Sequence, residues 1–164
     1  MNRELHRPVA LDRIGPAGLE VTVEADAAEC AALAVRMGVP ALTGLSCRFR
    51  LSPLPGGAVL AEGDLRAQVM RVCVVTLETF EAATEERFRL RFVPEGTGAG
   101  DDDPESDDEI GFQGTSIDLG EAAAEQLALA LDPYPRKPGA ALPDAAGEDT
   151  GSAFAALARL QGRC

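Results

Sequence analysis

Arg87-Phe88-Arg89-Leu90-Arg91-Phe92 repeats with a period of two. Side chains alternate across a β-strand, so this stretch puts Phe88, Leu90 and Phe92 on one face and the three guanidiniums on the other. A helix would scatter those charges around its circumference. The segment demands a sheet with one face on a core and the other in water, the habit of antiparallel rather than parallel sheets. Leu45, Cys47, Phe49 and Leu51 alternate in the same way with Ser46, Arg48 and Arg50, as do Leu19, Val21 and Val23 with Glu20, Thr22 and Glu24.

The remaining punctuation fills in a meander with two helices. Residues 8–14 and 19–25 read as strands around the turn Gly15-Pro16-Ala17-Gly18. Asp26-Ala27-Ala28-Glu29 has capping-box spacing, and Cys30, Leu33, Ala34 and Met37 follow at helical intervals up to Gly38. Pro53-Leu54-Pro55-Gly56-Gly57 is a turn. Residues 58–75 read as one or two strands with a bulge or bend at Gly63-Asp64, and residues 77–83 continue the meander. Residues 94–115 hold Pro, Gly, Ser and, between Asp101 and Glu109, seven acids, and are expected to form a mobile acidic loop. A second capping pattern, Asp118-Leu119-Gly120-Glu121, opens a helix with the stripe Ala124, Leu127, Ala128 and Leu131. Pro133, Pro135 and Pro138 forbid its continuation. The expected fold is one α+β domain over residues 1–139: a strongly twisted antiparallel sheet, curling towards a barrel, with two principal packed helices. Residues 140–164 read as a linker and a short helix starting at Ser152, with Phe154, Leu157 and Ala158 on its apolar side.

Charge and cysteine usage narrow the function classes. The formal charge is −12 over 164 residues, and the seven acids between Asp101 and Glu109 supply much of it. An acidic chain is a poor general duplex binder, although a local basic face remains available. The four cysteines, Cys30, Cys47, Cys73 and Cys164, lack zinc-knuckle spacing, and His6 is the single histidine. Reduced, mostly buried thiols are expected rather than disulfides. Residues 1–8 lead into no apolar signal-peptide core, and no apolar run reaches membrane-spanning length, so a cytoplasmic, soluble chain is expected.

No nucleophile–base pair is legible, and His6 sits in an arm expected to fray. The acidic run fails the calcium-loop pattern: Ser106 stands where Gly is needed, and Pro104 interrupts the ligand series. It reads either as a solvated loop or as an acidic tether, for a basic protein or in competition for an RNA site. Arg48, Arg50, Arg87, Arg89 and Arg91 converge on one surface if their strands share a sheet. That surface reads either as an RNA or partner contact, or as a solvated face paired with Glu20, Glu24 or Glu78.

Three segments in order carry a resemblance: Cys73-Val74-Val75-Thr76-Leu77-Glu78, the strand and acidic loop after it, and Ile117 to Gly139 with its Leu-Ala-Leu-Ala-Leu-Asp-Pro-Tyr-Pro-Arg string. The chain resembles the YceD family, the large ribosomal RNA subunit accumulation proteins, in its alphaproteobacterial type. The N-terminal strand–helix–strand fits that family in layout only. The resemblance implies a non-enzymatic bacterial factor that supports accumulation or assembly of large-subunit ribosomal RNA. Its implied partners are ribosomal RNA or large-subunit assembly intermediates, and basic ribosomal proteins through Asp101–Glu109. The alternative is a protein–protein adaptor without RNA contact, docking through Pro133, Tyr134, Pro135 and Arg136. Cys73 matches the first position of a Cys-x-x-Cys found in many relatives, but the second position here is Thr76. Arg136-Lys137-Pro138-Gly139 stands where other relatives carry further cysteines. Neither a metal nor another cofactor is therefore expected.

Overall fold

The computed structural model describes residues 4–96 and 107–142; the first six residues of the acidic run and the helix expected from Ser152 lie outside them. The strands are β1 (Pro8–Ala10), β2 (Leu19–Glu24), β3 (Ala41–Pro53), β4 (Val59–Val72), β5 (Thr79–Pro94), β6 (Asp108–Phe112) and β7 (Ser116–Asp118). The helices are α1 (Ala27–Met37) and α2 (Leu119–Ala130). A five-stranded sheet runs in the order β2-β3-β4-β5-β6, and β1 pairs separately with β7. The fold is α+β as expected. The sheet stays open, because its end strands β2 and β6 do not pair with each other, and so the barrel-like curl does not close.

The period-two pattern decides which face is wet. Leu45, Cys47, Phe49 and Leu51 of β3, Val59, Ala61, Leu65 and Val69 of β4, and Leu90 and Phe92 of β5 are buried on one side. They share a core with Leu33 and Ala34 of α1 and with Leu119, Ala123 and Leu127 of α2. Each of the Leu, Val and Phe side chains among them stabilises the fold by roughly 1.5–3 kcal/mol on burial. Both helices therefore cover one face, and the arginines of β3 and β5 are left on the other.

Several local expectations change. Residues 58–75 do not bend at Gly63-Asp64: β4 runs straight through, with Phe49, Gly63 and Phe88 in register across three strands. The irregularity lies instead between Leu42 and Gly44 of β3, where the register shifts. Residues 77–83 and the arginine strand merge into one β5, because β4 is long enough to pair with all of it. The 94–115 loop contains β6, which runs parallel to β5. Acid content hid it, but Ile110 and Phe112 alternate with Gly111, and Phe112 is buried. A parallel return needs a connection of roughly a dozen residues, which 95–107 supply. The first strand ends at Ala10 in a 3-10 turn, Leu11–Arg13. On α2 the buried side is Leu119, Ala122, Ala123, Ala124, Gln126 and Leu127, whereas Ala128 of the expected stripe is exposed.

The N-terminal arm is held rather than frayed. Leu5 is fully buried, and β1 pairs with β7 from Pro8 opposite Asp118 to Ala10 opposite Ser116. Gly120 permits this approach, since a Cβ there would lie 2.7 Å from the Leu5 carbonyl oxygen. Asp118 caps α2, accepting from Gly120 N at 3.0 Å and Glu121 N at 3.3 Å, and also from Arg7 N at 2.9 Å. The reciprocal half of the capping box does not form, because the Glu121 carboxylate is engaged by Arg36 at 2.7 Å. In α1 both halves form, at 2.8 and 2.9 Å between Asp26 and Glu29.

Candidate functional site

Register brings the five candidate arginines onto one sheet face, but through an intervening acidic strand. Arg48, Asp64 and Arg87 lie opposite one another across β3, β4 and β5, and Arg50, Glu62 and Arg89 form the next row. Arginines two strands apart are separated by roughly 10 Å of sheet. The groove between the rows has a volume of about 700 Å³ and also admits Asp107 and Asp108 from the start of β6.

Most of these guanidiniums have partners. Arg48 Nε lies 3.4 Å from Glu20, Arg87 Nε 3.3 Å from Asp64, Arg89 3.5 Å from Asp107 and Arg91 3.1 Å from Glu109. Arg50 forms no ion pair among the described residues, although Glu20 and Glu62 flank it in register. Of the acids anticipated as partners, Glu20 does pair with this face. Glu78 instead meets Lys137 at 3.0 Å, and Glu24 gives its main-chain carbonyl to Arg7. Glu62, Asp64, Asp107 and Glu109 are the residues that sequence reasoning missed. The signal for the first two was present, as Glu62, Asp64 and Arg66 alternate with Ala61, Gly63 and Leu65. The Arg48–Glu20 and Arg87–Asp64 pairs are exposed, with Arg87 at 86% and Asp64 at 50%, while Asp107 and Arg91 in the other two are half-buried; exposed pairs are worth about 0–1 kcal/mol. An incoming phosphate or carboxylate can exchange with them at little cost.

The second candidate, Pro133–Arg136, is a pinned strap. Tyr134 N donates to Asp132 Oδ1 at 2.8 Å, Val74 N donates to the Pro135 carbonyl at 2.9 Å, and Arg71 donates to the Asp132 carbonyl. The Tyr134 side chain is left 72% exposed, and Leu129 of α2 is 74% exposed. Beneath the strap, Cys73 is inaccessible to solvent although it lies at the periphery of the fold. Its sulfur accepts from Lys137 N at 3.3 Å and Thr76 N at 3.5 Å. The Thr76 hydroxyl, and then these main-chain donors, lower the Cys73 thiol to about 7 against the opposing effect of desolvation. Burial instead pushes Cys47 up to about 12, and Cys30 is raised for the same reason. The donor set around Cys73 does not suit zinc: one thiol, a threonine, and a lysine whose ammonium is held by Glu78. Among the described residues no group of three or more His, Cys, Asp or Glu side chains is placed to hold a metal ion.

His6, expected to be incidental, contacts Asp118 Oδ2 through Nδ1 at 2.6 Å. Asp118 is committed to the helix cap, and this pairing extends the clamp on the N-terminal arm. No helix among the described residues is long and apolar enough to cross a membrane.

Residues 61–161 match the family model described as large ribosomal RNA subunit accumulation protein YceD. No curated protein matches the chain. No solved structure matches it either.

Proposed function

The chain belongs to the YceD family, and from that premise we propose that it is a non-enzymatic cytoplasmic factor that supports accumulation of large-subunit ribosomal RNA by contacting RNA within assembly intermediates. The observation that carries the RNA contact is the convergence of Arg48, Arg50, Arg87, Arg89 and Arg91 on one open sheet face above a groove. Guanidiniums in two rows suit a phosphate backbone, and forked donors engage phosphate in pairs. Asp107 and Glu109, the C-terminal part of the acidic run, sit on Arg89 and Arg91. They act as in-chain competitors that release those arginines when a phosphate arrives, and they keep indiscriminate binding weak. The remainder of the run offers a landing site for basic ribosomal proteins. The test is association with large-subunit precursor RNA as salt is varied. Replacing Arg87, Arg89 and Arg91 together by Ser should weaken binding and flatten its salt dependence. Equal binding by the variant would reduce the face to a solvated one.

A second reading, an adaptor without RNA contact, is favoured by the exposed Tyr134 on a pinned proline strap. Partner capture that survives nuclease but is lost on Tyr134→Ala would support it over the first.

A further inference from the structure

β6 covers only Leu90–Pro94 on the outer edge of β5. From Thr79 to Arg89 that strand pairs with β4 on one side and, among the described residues, with no strand on the other. The opposite edge of the sheet, β2, is much shorter, and Arg7 already engages its Glu24 carbonyl at 2.9 Å. A long unpaired edge is a template for another extended chain.

We propose that Thr79–Arg89 pairs antiparallel with the same segment of a second copy of this chain, about a two-fold axis at Thr84, joining two sheets into one. Symmetry restricts the register. Residues directly opposite one another in an antiparallel pair point to the same face, so the axis must pass through a residue and not between two. Centred on Thr84, the pairing uses the whole free segment. It sets Glu81 opposite Arg87 of the second copy, twice by symmetry, and Phe80 opposite Phe88 on the helix-covered face. Glu85 and Glu86 then fall opposite Ala83 and Ala82. Centred on Ala83, Glu81 would meet Glu85 twice. Centred on Glu85, that carboxylate would meet its own copy, and Phe80 would compete with β6 for the place beside Leu90. Like charges directly opposite are unfavourable, and the Thr84 register is the one that pairs the whole free segment without opposing them; the register centred on Ala82 also avoids them but joins only Thr79–Glu85. The dimer would carry the arginine faces of both copies on one continuous surface, although the pairing does not depend on what that surface binds.

The test uses the full chain carrying Cys164→Ser, so that the remaining native thiols are the buried Cys30, Cys47 and Cys73. Thr84→Cys lies opposite itself across the axis, within disulfide reach, and should give a cross-linked dimer under mild oxidation. Gln68→Cys, on the interior strand β4, should not. By sedimentation, Glu81→Arg or Arg87→Glu should each weaken the dimer about tenfold, and the double exchange should restore it. Circular dichroism confirms folding, and the charge series stands if the cysteine variant misfolds. The proposal is overturned by a chain that sediments as a monomer at every concentration, by equal cross-linking at positions 68 and 84, or by a dimer indifferent to the charge exchange.

Discussion

The ring of Phe88 lies across Gly63 of the neighbouring strand: a Cβ at position 63 would sit 2.1 Å from Phe88 Cζ. The glycine opens a slot through which Phe88 reaches Phe49, their ring centroids 5.7 Å apart and edge to face. Gly63→Ala would drive Phe88 off this contact and should destabilise by about 1–3 kcal/mol in chemical denaturation. Because both changes act on one contact, Gly63→Ala combined with Phe88→Ala should cost less than the two single variants summed. Strict additivity would show that the ring moves freely.

Asp118 joins the N-terminal arm to α2 through its cap bonds, Arg7 N and His6. Asp118→Ala should cost about 1–2 kcal/mol, at the upper end for a helix cap, since the arm loosens with it. Amide exchange should rise in residues 5–10 as well as in the first turn of α2. A rise confined to the helix would mean that the arm is held by Leu5 and β1 alone.

Arg7 meets both oxygens of Glu29, at 2.7 and 2.8 Å. These bonds, followed by the Asp26 amide, hold the Glu29 carboxyl below its ordinary 4.5. A carboxyl lowered on folding stabilises the fold fully above its unfolded value, and that contribution is lost as pH falls through the folded one. Stability measured from neutral pH into acid should therefore fall less steeply below pH 4.5 in Glu29→Gln than in the native chain. Parallel curves would remove Glu29 from the acid response.

For Cys73 the thiol is lowered from 9.0 to about 7, chiefly by the Thr76 hydroxyl. The sign is the same. Its contribution is fully present above 9.0 and drains away as pH falls towards 7, so stability should rise across that window. Cys73→Ser should abolish the rise and Thr76→Val should shrink it. Metal analysis of the purified chain should find no stoichiometric zinc. One zinc per chain, lost with Cys73→Ser, would contradict the reading of Thr76 and Lys137 as misfits for a thiolate site.

The period-two strands, both cap residues and the proline exit were legible in the sequence because each rests on neighbours a few residues apart. What stayed hidden depends on register. Gly63 read as a bend because a glycine in a strand looks like a break until Phe49 and Phe88 are known to flank it. The arginines were visible, but not the acidic rungs between them, since β4 had no assigned place between β3 and β5. The brevity of β6 and the acids around it concealed Ile110 and Phe112. The approach of Thr76 and Lys137 to one sulfur joins segments far apart in the chain, which no local pattern reports.

The most direct test of the central claim is the ratio of large- to small-subunit ribosomal RNA in cells depleted of this protein and complemented with either the native chain or the Arg87, Arg89, Arg91→Ser variant. The native chain should restore the ratio, and the variant, at equal abundance, should leave large-subunit RNA low. Full rescue by the variant would contradict the arginine face as the working surface, and an unchanged ratio on depletion would contradict the role itself.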